Sequence, residues 1–325
     1  MQKQVKALVL LSGGLDSILA VKLLLEQGIA VQAINFRTNF CGPSKARPAA
    51  AMLGVPLREV AIREEFLMVL KKPKHGYGSG LNPCIDCHAL MLKRAGEIMR
   101  KEGYDFLATG EVLGERPMSQ HKQALDIVEC DADVVGYLLR PLSAKLLEPT
   151  IAEQEGLVDR EKLLDISGRS RKIQMALADQ YGIKEYPTPA GGCALTQKGF
   201  ADRLRELMEY KPDFNSEDVD LVAIGRHFFA HRSLGEGGLD DVQIILGRNQ
   251  EENEILASVA SQGDTLISPE NFIGPLALVR QISRSQTARD LPESAVEEAK
   301  AKIIQFSPKA KDLKPEEIRF KIVRE

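Results

Sequence analysis

The sequence predicts an α/β fold, a parallel sheet with helices on both faces, followed by a smaller α+β domain. Three observations predict it. Apolar runs of strand length alternate with helical patterns through roughly the first 190 residues. A glycine turn, Ser12-Gly13-Gly14-Leu15-Asp16-Ser17, joins the first strand to the first helix. After Cys193 the rhythm gives way to short strands and helices in mixed order. This places one domain over residues 1–195 and a second over 196–325.

The elements follow in order. Val5–Leu11 is a continuous apolar run, as in a strand covered on both faces. Ile18–Gln27 has helical periodicity and is closed by Gly28. Val31–Phe36 reads as a strand, Pro48–Leu53 as a helix ended by Gly54, and Leu57–Ala61 as a third strand. Lys71–Pro83 is a Gly/Lys/Pro-rich loop. Ala89–Lys101 reads as a helix ended by Gly103, Phe106–Thr109 as a strand, and Ser167–Tyr181 as an amphipathic helix carrying Arg169, Arg171 and Lys172. A Pro/Gly cluster from Tyr186 to Cys193 closes the first domain. In the second, Phe200–Tyr210, Glu251–Ala260 and Glu293–Ile304 are helical; Val242–Leu246, Thr265–Ser268 and Ala277–Gln281 are strands.

Composition excludes several classes. Of 325 residues, 44% are hydrophobic and 27% charged, the balance of an ordinary globular chain. No apolar run approaches the roughly 18 residues of a membrane span, so no membrane partner is expected. The first apolar stretch runs straight into the glycine turn, unlike a secretory signal, and a cytoplasmic location is expected. Net charge is −3, so any nucleic-acid surface must be local, and the absence of tryptophan argues against base stacking as its main mode. Five cysteines, an odd number, argue for metal or redox chemistry over a disulfide framework.

The Ser12–Ser17 turn has the parts of a phosphate cradle. Glycines let backbone N–H groups approach an anion, and the helix N-terminus adds partial positive charge. It is not a Walker A loop, which needs Gly-x-x-x-x-Gly-Lys-Ser/Thr. Cys84-Ile-Asp-Cys87 alone is compatible with a redox pair, half a zinc site or an iron–sulfur corner. With Cys193 there are three soft donors and no obvious fourth ligand, as in an open metal site. Cys41, in an Asn-Phe-Cys-Gly turn, could face that site; Cys130 has no evident partner.

The SGGxDS string resembles the pyrophosphate loop of the N-type ATP pyrophosphatases, the PP-loop or adenine-nucleotide alpha-hydrolase-like group. Thr109-Gly110-Glu111-Val112-Leu113-Gly114 with Ser119-Gln120, and then Arg140-Pro141-Leu142, resembles ThiI-type tRNA 4-thiouridine synthases. Asn82-Pro83-Cys84 with Cys87 resembles both MnmA-type 2-thiouridylases and cluster-dependent thiolases. Together these strings span Val5 to about Leu195. The resemblance implies ATP and Mg²⁺ as cofactors, with Ser12, Gly13, Gly14, Asp16 and Ser17 on the phosphates and Asp16 helping to bind Mg²⁺. It places Phe36 and Arg37 near the adenosine, and Gly110 and Glu111 closing the pocket. It makes Cys84, Cys87 and Cys193 the holders of a 4Fe-4S cluster, with Asp16, Cys84 and Cys193 catalytic. The partners it implies are tRNA and a sulfur donor, either sulfide or a cysteine-desulfurase-derived persulfide. The implied activity is tRNA thiolation: ATP adenylates a uridine carbonyl and sulfur displaces AMP, for which a low-pKa thiolate is expected. One departure stands out: Glu115 occupies a position where the ThiI pattern has glutamine.

In the second domain, Leu246-Gly247-Arg248-Asn249, followed by Glu251–Asn253 and later Gly274-Pro275, resembles the NFACT-R RNA-binding domain. The same string also reads as a strand–turn–helix with Asn249 as N-cap. Arg226, Arg232, Arg248, Arg280 and Arg284, with His227 and His231, are candidate phosphate contacts. The His227-x-x-x-His231 spacing is zinc-like if helical, but solvated or core histidines fit it better. Charges in Ser283–Glu325 nearly cancel, ten Lys/Arg against eight Asp/Glu, as in a solvated helix. Two other functions fit the same core: a ligase activating a small-molecule carbonyl, and a non-catalytic sulfur carrier or RNA-binding adaptor.

Overall fold

A computed structural model describes residues 4–42, 44–186, 192–233, 239–282 and 291–325. Residues 187–191 of the Pro/Gly cluster and Arg284 lie outside the described residues, as do the side chains of His231 and Arg232. The chain divides into two compact units, Met1–Gln197 and Lys198–Glu325.

The first unit is built from β1 (Lys6–Leu10), α1 (Leu15–Glu26), β2 (Ala30–Arg37), α2 (Ala46–Leu53), β3 (Leu57–Ala61), α3 (Arg63–Lys71), α4 (Cys84–Glu102), β4 (Phe106–Thr109), α5 (Lys122–Asp131), β5 (Leu138–Leu139), α6 (Ile151–Gln154) and α7 (Lys172–Gln180). Its five strands lie in the order β3-β2-β1-β4-β5, and every pairing is parallel. Alternate side chains of β1 explain why helices cover both faces. Ala7 and Val9 point into a core with Leu15, Ile18 and Leu19 of α1 and Ala178 of α7. Leu8 points the other way, into a core with Leu92, Ala95 and Met99 of α4 and Val128 of α5. The chain order reverses direction beside β1, so the crevice at the carboxyl ends of β1 and β4 is where a doubly wound sheet binds its ligand.

Three expectations need correction. The Cys-x-x-Cys pair is not in a loop but in the first turn of α4, which starts five residues before the expected Ala89. Asp86 explains the early start: its carboxylate accepts from the backbone N–H groups of Lys74 (2.9 Å) and His75 (3.1 Å), tying the preceding loop to that turn. The helix expected from Ser167 begins only at Lys172. The Gly168 N–H donates to the Leu113 carbonyl at 2.7 Å, with Gly168 at φ +82°, so this backbone is committed to a bridge with Leu113. Helices α3 and α5 were not anticipated; acidic Glu64 and Glu65 open the first, and His121 caps the second by accepting from Ala124 N–H.

The second unit contains α8 (Lys198–Tyr210), α9 (Ser216–Val222), β6 (Arg226–Ser233), β7 (Leu239–Leu246), α10 (Gln250–Ser258), β8 (Thr265–Pro269), β9 (Ala277–Gln281), α11 (Glu293–Gln305) and β10 (Phe320–Arg324). The strands form an antiparallel sheet in the order β10-β8-β9-β7-β6. Ala295, Val296, Ala299 and Ile303 of α11 pack on Val242, Ile244, Ile267 and Val279. His227 and His231 lie on strand β6, so the helical zinc spacing does not arise.

Candidate active site

The glycine turn is folded around its own hydroxyls. Ser12 Oγ accepts from Gly14 N–H (3.2 Å) and lies 3.2 Å from Ser17 Oγ, which donates to the Gly14 carbonyl at 2.8 Å. No side chain caps α1, whose N-cap is Gly14, so the helix N-terminal dipole is left for a ligand. Gly13 sits at φ +80°, and a Cβ there would lie 2.2 Å from the Lys45 carbonyl. Gly110, just after β4, is pressed onto the same turn: its Cβ would lie 2.4–2.6 Å from the backbone of Asp16 and Ser17. Both glycines are required by backbone approach.

Beside the turn, polar groups are buried without hydrogen bonds. Asp16 Oδ1, Arg171 Nε and both amide atoms of the fully buried Gln174 have no hydrogen-bond partner among the described residues. Arg171 Nη2 is 3.7 Å from Asp16 Oδ2, and its Nε is 3.9 Å from Glu115 Oε1. Burial raises the pKa of Asp16, against the pull of Arg171. Burial raises Glu115 too, with the Asp16 charge adding to the effect. A buried donor or acceptor without a partner costs about 1–3 kcal/mol, so a group of them marks a place made for a ligand.

Glu111 does not line an open pocket. It is 7% exposed and holds a network together: Oε2 accepts from Arg140 Nε (3.0 Å) and Thr109 Oγ1 (3.1 Å), while Oε1 lies 2.8 Å from His88 Nδ1. Arg140, 3% exposed, also pairs with Glu129. Burial alone would raise the Glu111 pKa, yet Arg140 and His88 overcome it and hold the carboxyl at about 2. His88 follows Cys87 on α4, so this carboxylate ties the end of β4 to the cysteine helix.

The cysteines converge from three segments. Ala194 N–H donates to the Phe40 carbonyl (3.0 Å) and Leu81 N–H to the Leu195 carbonyl (3.1 Å), which draws the Cys193 segment against the Cys41 turn and the α4 approach. Gly80 permits this, since a Cβ there would lie 2.3 Å from the Leu195 carbonyl. Asn82 Nδ2 donates to Cys84 Sγ at 3.1 Å. Burial drives the Cys87 thiol well up in pKa, and Cys193, Cys41 and Cys84 push it further. Burial likewise puts Cys193 at about 12. The expected low-pKa thiolate is therefore absent at these two positions: the thiols suppress each other's ionisation. Among the described residues, no set of three or more His, Cys, Asp or Glu is arranged to hold a metal ion, so the cluster implied by resemblance finds no ready cage.

At the end of β2 the two expected adenosine neighbours part company. Phe36 is 6% exposed and packs in the core with Leu8, Ile34 and Ile62. Arg37 lines a cavity of about 390 Å³ with Ser44, Arg47 and Glu59.

Residues 2–146, rather less than half the chain, match the family model described as thiamine biosynthesis protein (ThiI). The matched stretch lies wholly within the first unit. The chain is 23% identical over 291 residues to a tRNA-specific 2-thiouridylase MnmA of Psychromonas ingrahamii, covering 82% of this chain and 76% of that one. A tRNA-specific 2-thiouridylase MnmA of Syntrophotalea carbinolica is 35% identical over 127 residues, covering 34% of this chain and 35% of that one. Among solved structures, a 4-thiouridine synthetase–RNA complex with bound ATP is similar at 19% identity and a TM-score of 0.39, covering 67% of this chain and 52% of that one.

Within the first unit, sequence reading singled out the turn, Gly110, Glu111 and the cysteines as candidates, but passed over His88, Gln174 and the contacts of Arg140 and Arg171. Only the spacing of Arg171 and Gln174 on one helical face could have flagged that pair. In the second unit the described candidate phosphate contacts are engaged elsewhere. Arg248 pairs with Glu252 (Nε–Oε1 2.9 Å), Arg280 with Asp264 (Nε–Oδ1 2.8 Å), and Arg226 stacks 4.7 Å over the Phe306 ring. His227 Nε2 donates to the Leu221 and Ile224 carbonyls, Gln243 donates to its Nδ1, and burial lowers its pKa to about 4: a neutral core histidine. Each residue of the Gly-Arg-Asn string has a conformational task. Gly247 makes room for Asn253, Asn249 caps α10 by accepting from Glu252 N–H (2.9 Å), and Asn253 accepts from Leu276 N–H (3.0 Å). No helix among the described residues is long and apolar enough to cross a membrane.

Two outcomes follow from these charges. Because the folded-state pKa of Glu111 is depressed from 4.5 to about 2, its stabilisation is present above pH 4.5 and disappears as pH falls towards 2. E111Q should lower stability at pH 7 by about 3 kcal/mol, and the gap to wild type should close between pH 4.5 and 2 in denaturant melts. In timed alkylation with iodoacetamide at neutral pH, read by peptide mass, the exposed Cys41 and Cys130 should react well before Cys87 and Cys193.

Proposed function

We propose that this chain is an ATP-dependent tRNA thiouridine synthase. The observation that carries the reading is the group of unbonded buried donors and acceptors facing the uncapped start of α1, in the domain that also gathers the thiols of Cys41, Cys84, Cys87 and Cys193. A phosphate chain fits the first and a sulfur atom the second.

In the first step a uridine carbonyl oxygen attacks the α-phosphorus of ATP. The bond to the β-phosphate oxygen breaks, and pyrophosphate leaves. Ser12, Gly13, Gly14 and Ser17 hold the phosphates, Asp16 faces the metal, and Arg37 borders the cavity proposed for the adenosine. Bound Mg²⁺ supplies positive charge to the phosphates. In the second step sulfur adds to the activated carbon and AMP leaves, exchanging C=O for C=S.

Sulfur is carried at Cys84, Cys87 and Cys193. A cysteine persulfide is a form of sulfur these neighbouring thiols can hold and hand on. The terminal sulfur attacks the carbon, and a neighbouring thiol then breaks the S–S bond, leaving a disulfide for an external thiol to reduce. The second unit is proposed to hold the RNA, supported by its NFACT-R-like string; since Arg248 and Arg280 are tied to carboxylates, other cations there would meet the phosphates.

The test is nucleoside mass analysis of tRNA incubated with the protein, ATP, Mg²⁺ and a persulfide or sulfide donor. Wild type should yield a thiouridine, and D16N and C193A should lower the yield by about 100-fold. ATP cleavage without any thionucleoside would contradict the reading. Iron and acid-labile sulfide in oxygen-free protein, lost on Cys84→Ala/Cys87→Ala/Cys193→Ala, would move the sulfur from a persulfide to a 4Fe-4S cluster.

A further inference from the structure

We propose that Asp16 and Glu115 together form the protein's half of a divalent-cation site, with Glu115 adding a second carboxylate that the ThiI pattern lacks. The inference rests on the PP-loop reading of the turn and deepens it. Asp16 stands in the first turn of α1, and Glu115 follows β4 in the turn where its N–H donates to the Val112 carbonyl (3.1 Å). Both side chains are mostly buried, at 20% and 15% exposure.

Charge balance argues for an ion between them. Arg171 reaches towards both carboxylates but bonds to neither, at 3.7 and 3.9 Å. Arg171 and Arg116 both act on the two carboxylates, so the bare site is near balance, and ATP phosphates would then bring net negative charge. Such an arrangement is stable with nucleotide only if a cation joins it. Magnesium is commonly held by one or two carboxylates plus substrate phosphates and water, which matches two carboxylates beside a phosphate cradle.

An independent observation points the same way. Gln174, with no exposed surface, lies beside Asp16, yet neither atom of its amide has a hydrogen-bond partner among the described residues. Asp16 Oδ1 is unbonded as well. A metal-bound water or phosphate oxygen between Asp16, Glu115 and Gln174 would satisfy these atoms together. With glutamine at position 115 the protein would offer one negative charge; with glutamate it offers two, and affinity for the cation should rise accordingly.

The experiment is Mn²⁺ binding by electron paramagnetic resonance, with the full chain and a non-hydrolysable α,β-methylene ATP analogue, in wild type, E115Q and E115D. E115Q should weaken Mn²⁺ by about tenfold or more, E115D should recover part of the loss, and E115Q should bind the analogue at least as well as wild type in EDTA. Retained analogue binding in E115Q also shows that the variant is folded. Mn²⁺ affinity unchanged in E115Q, with analogue still bound, would overturn the cation site alone. A wild type that binds no analogue would overturn the PP-loop reading and the inference with it.

Discussion

The contact on which the rest of the first unit depends is backbone on backbone: Gly110 against Asp16 and Ser17. No side chain fits there, since even a Cβ would lie 2.4 Å from the Ser17 nitrogen. This closeness fixes where β4 ends relative to the start of α1, and with it the residues that follow. Glu111 is carried inward to Arg140 and His88. Glu115 is carried to within 3.9 Å of Arg171, which also faces Asp16. The glycine turn and the cysteine helix are thereby linked through one buried carboxylate, over a path of a few side chains.

The two charge clusters differ in kind. Around Glu111 each carboxylate oxygen is met at hydrogen-bond distance, although Arg140 Nη2 is itself unbonded, and removing one member strands the rest. Around Asp16 the distances are long and the polar atoms unbonded. The two clusters thus differ in how completely their carboxylates are bonded.

The sheet and the phosphate turn were legible in the sequence because their signals are local. Continuous apolar runs, helical periodicity and glycine punctuation at Gly28, Gly54 and Gly103 depend on near neighbours. What was missed depends on distant ones. The early start of α4 comes from Asp86 holding the backbone of Lys74 and His75. The late start of α7 comes from Gly168 pairing with Leu113. Arg171 meets Asp16 across 155 positions of chain, and no periodicity announces such a pair. Phe36 carried the opposite lesson: an aromatic at a strand's end was assigned to a ligand, and the alternation of the strand placed it in the core. The Gly-Arg-Asn string of the second unit shows a further limit, since each of its residues has a conformational task that a motif match cannot separate from binding.

The central claim is that the phosphate turn activates a carbonyl oxygen whose place sulfur then takes. The most direct measurement follows that oxygen. tRNA carrying ¹⁸O in its uridine carbonyls would be incubated with the protein, ATP, Mg²⁺ and sulfur donor, and the AMP and water analysed by mass. Adenylation places ¹⁸O in AMP in amounts matching the thiouridine formed. Thiouridine formed with unlabelled AMP would contradict the account.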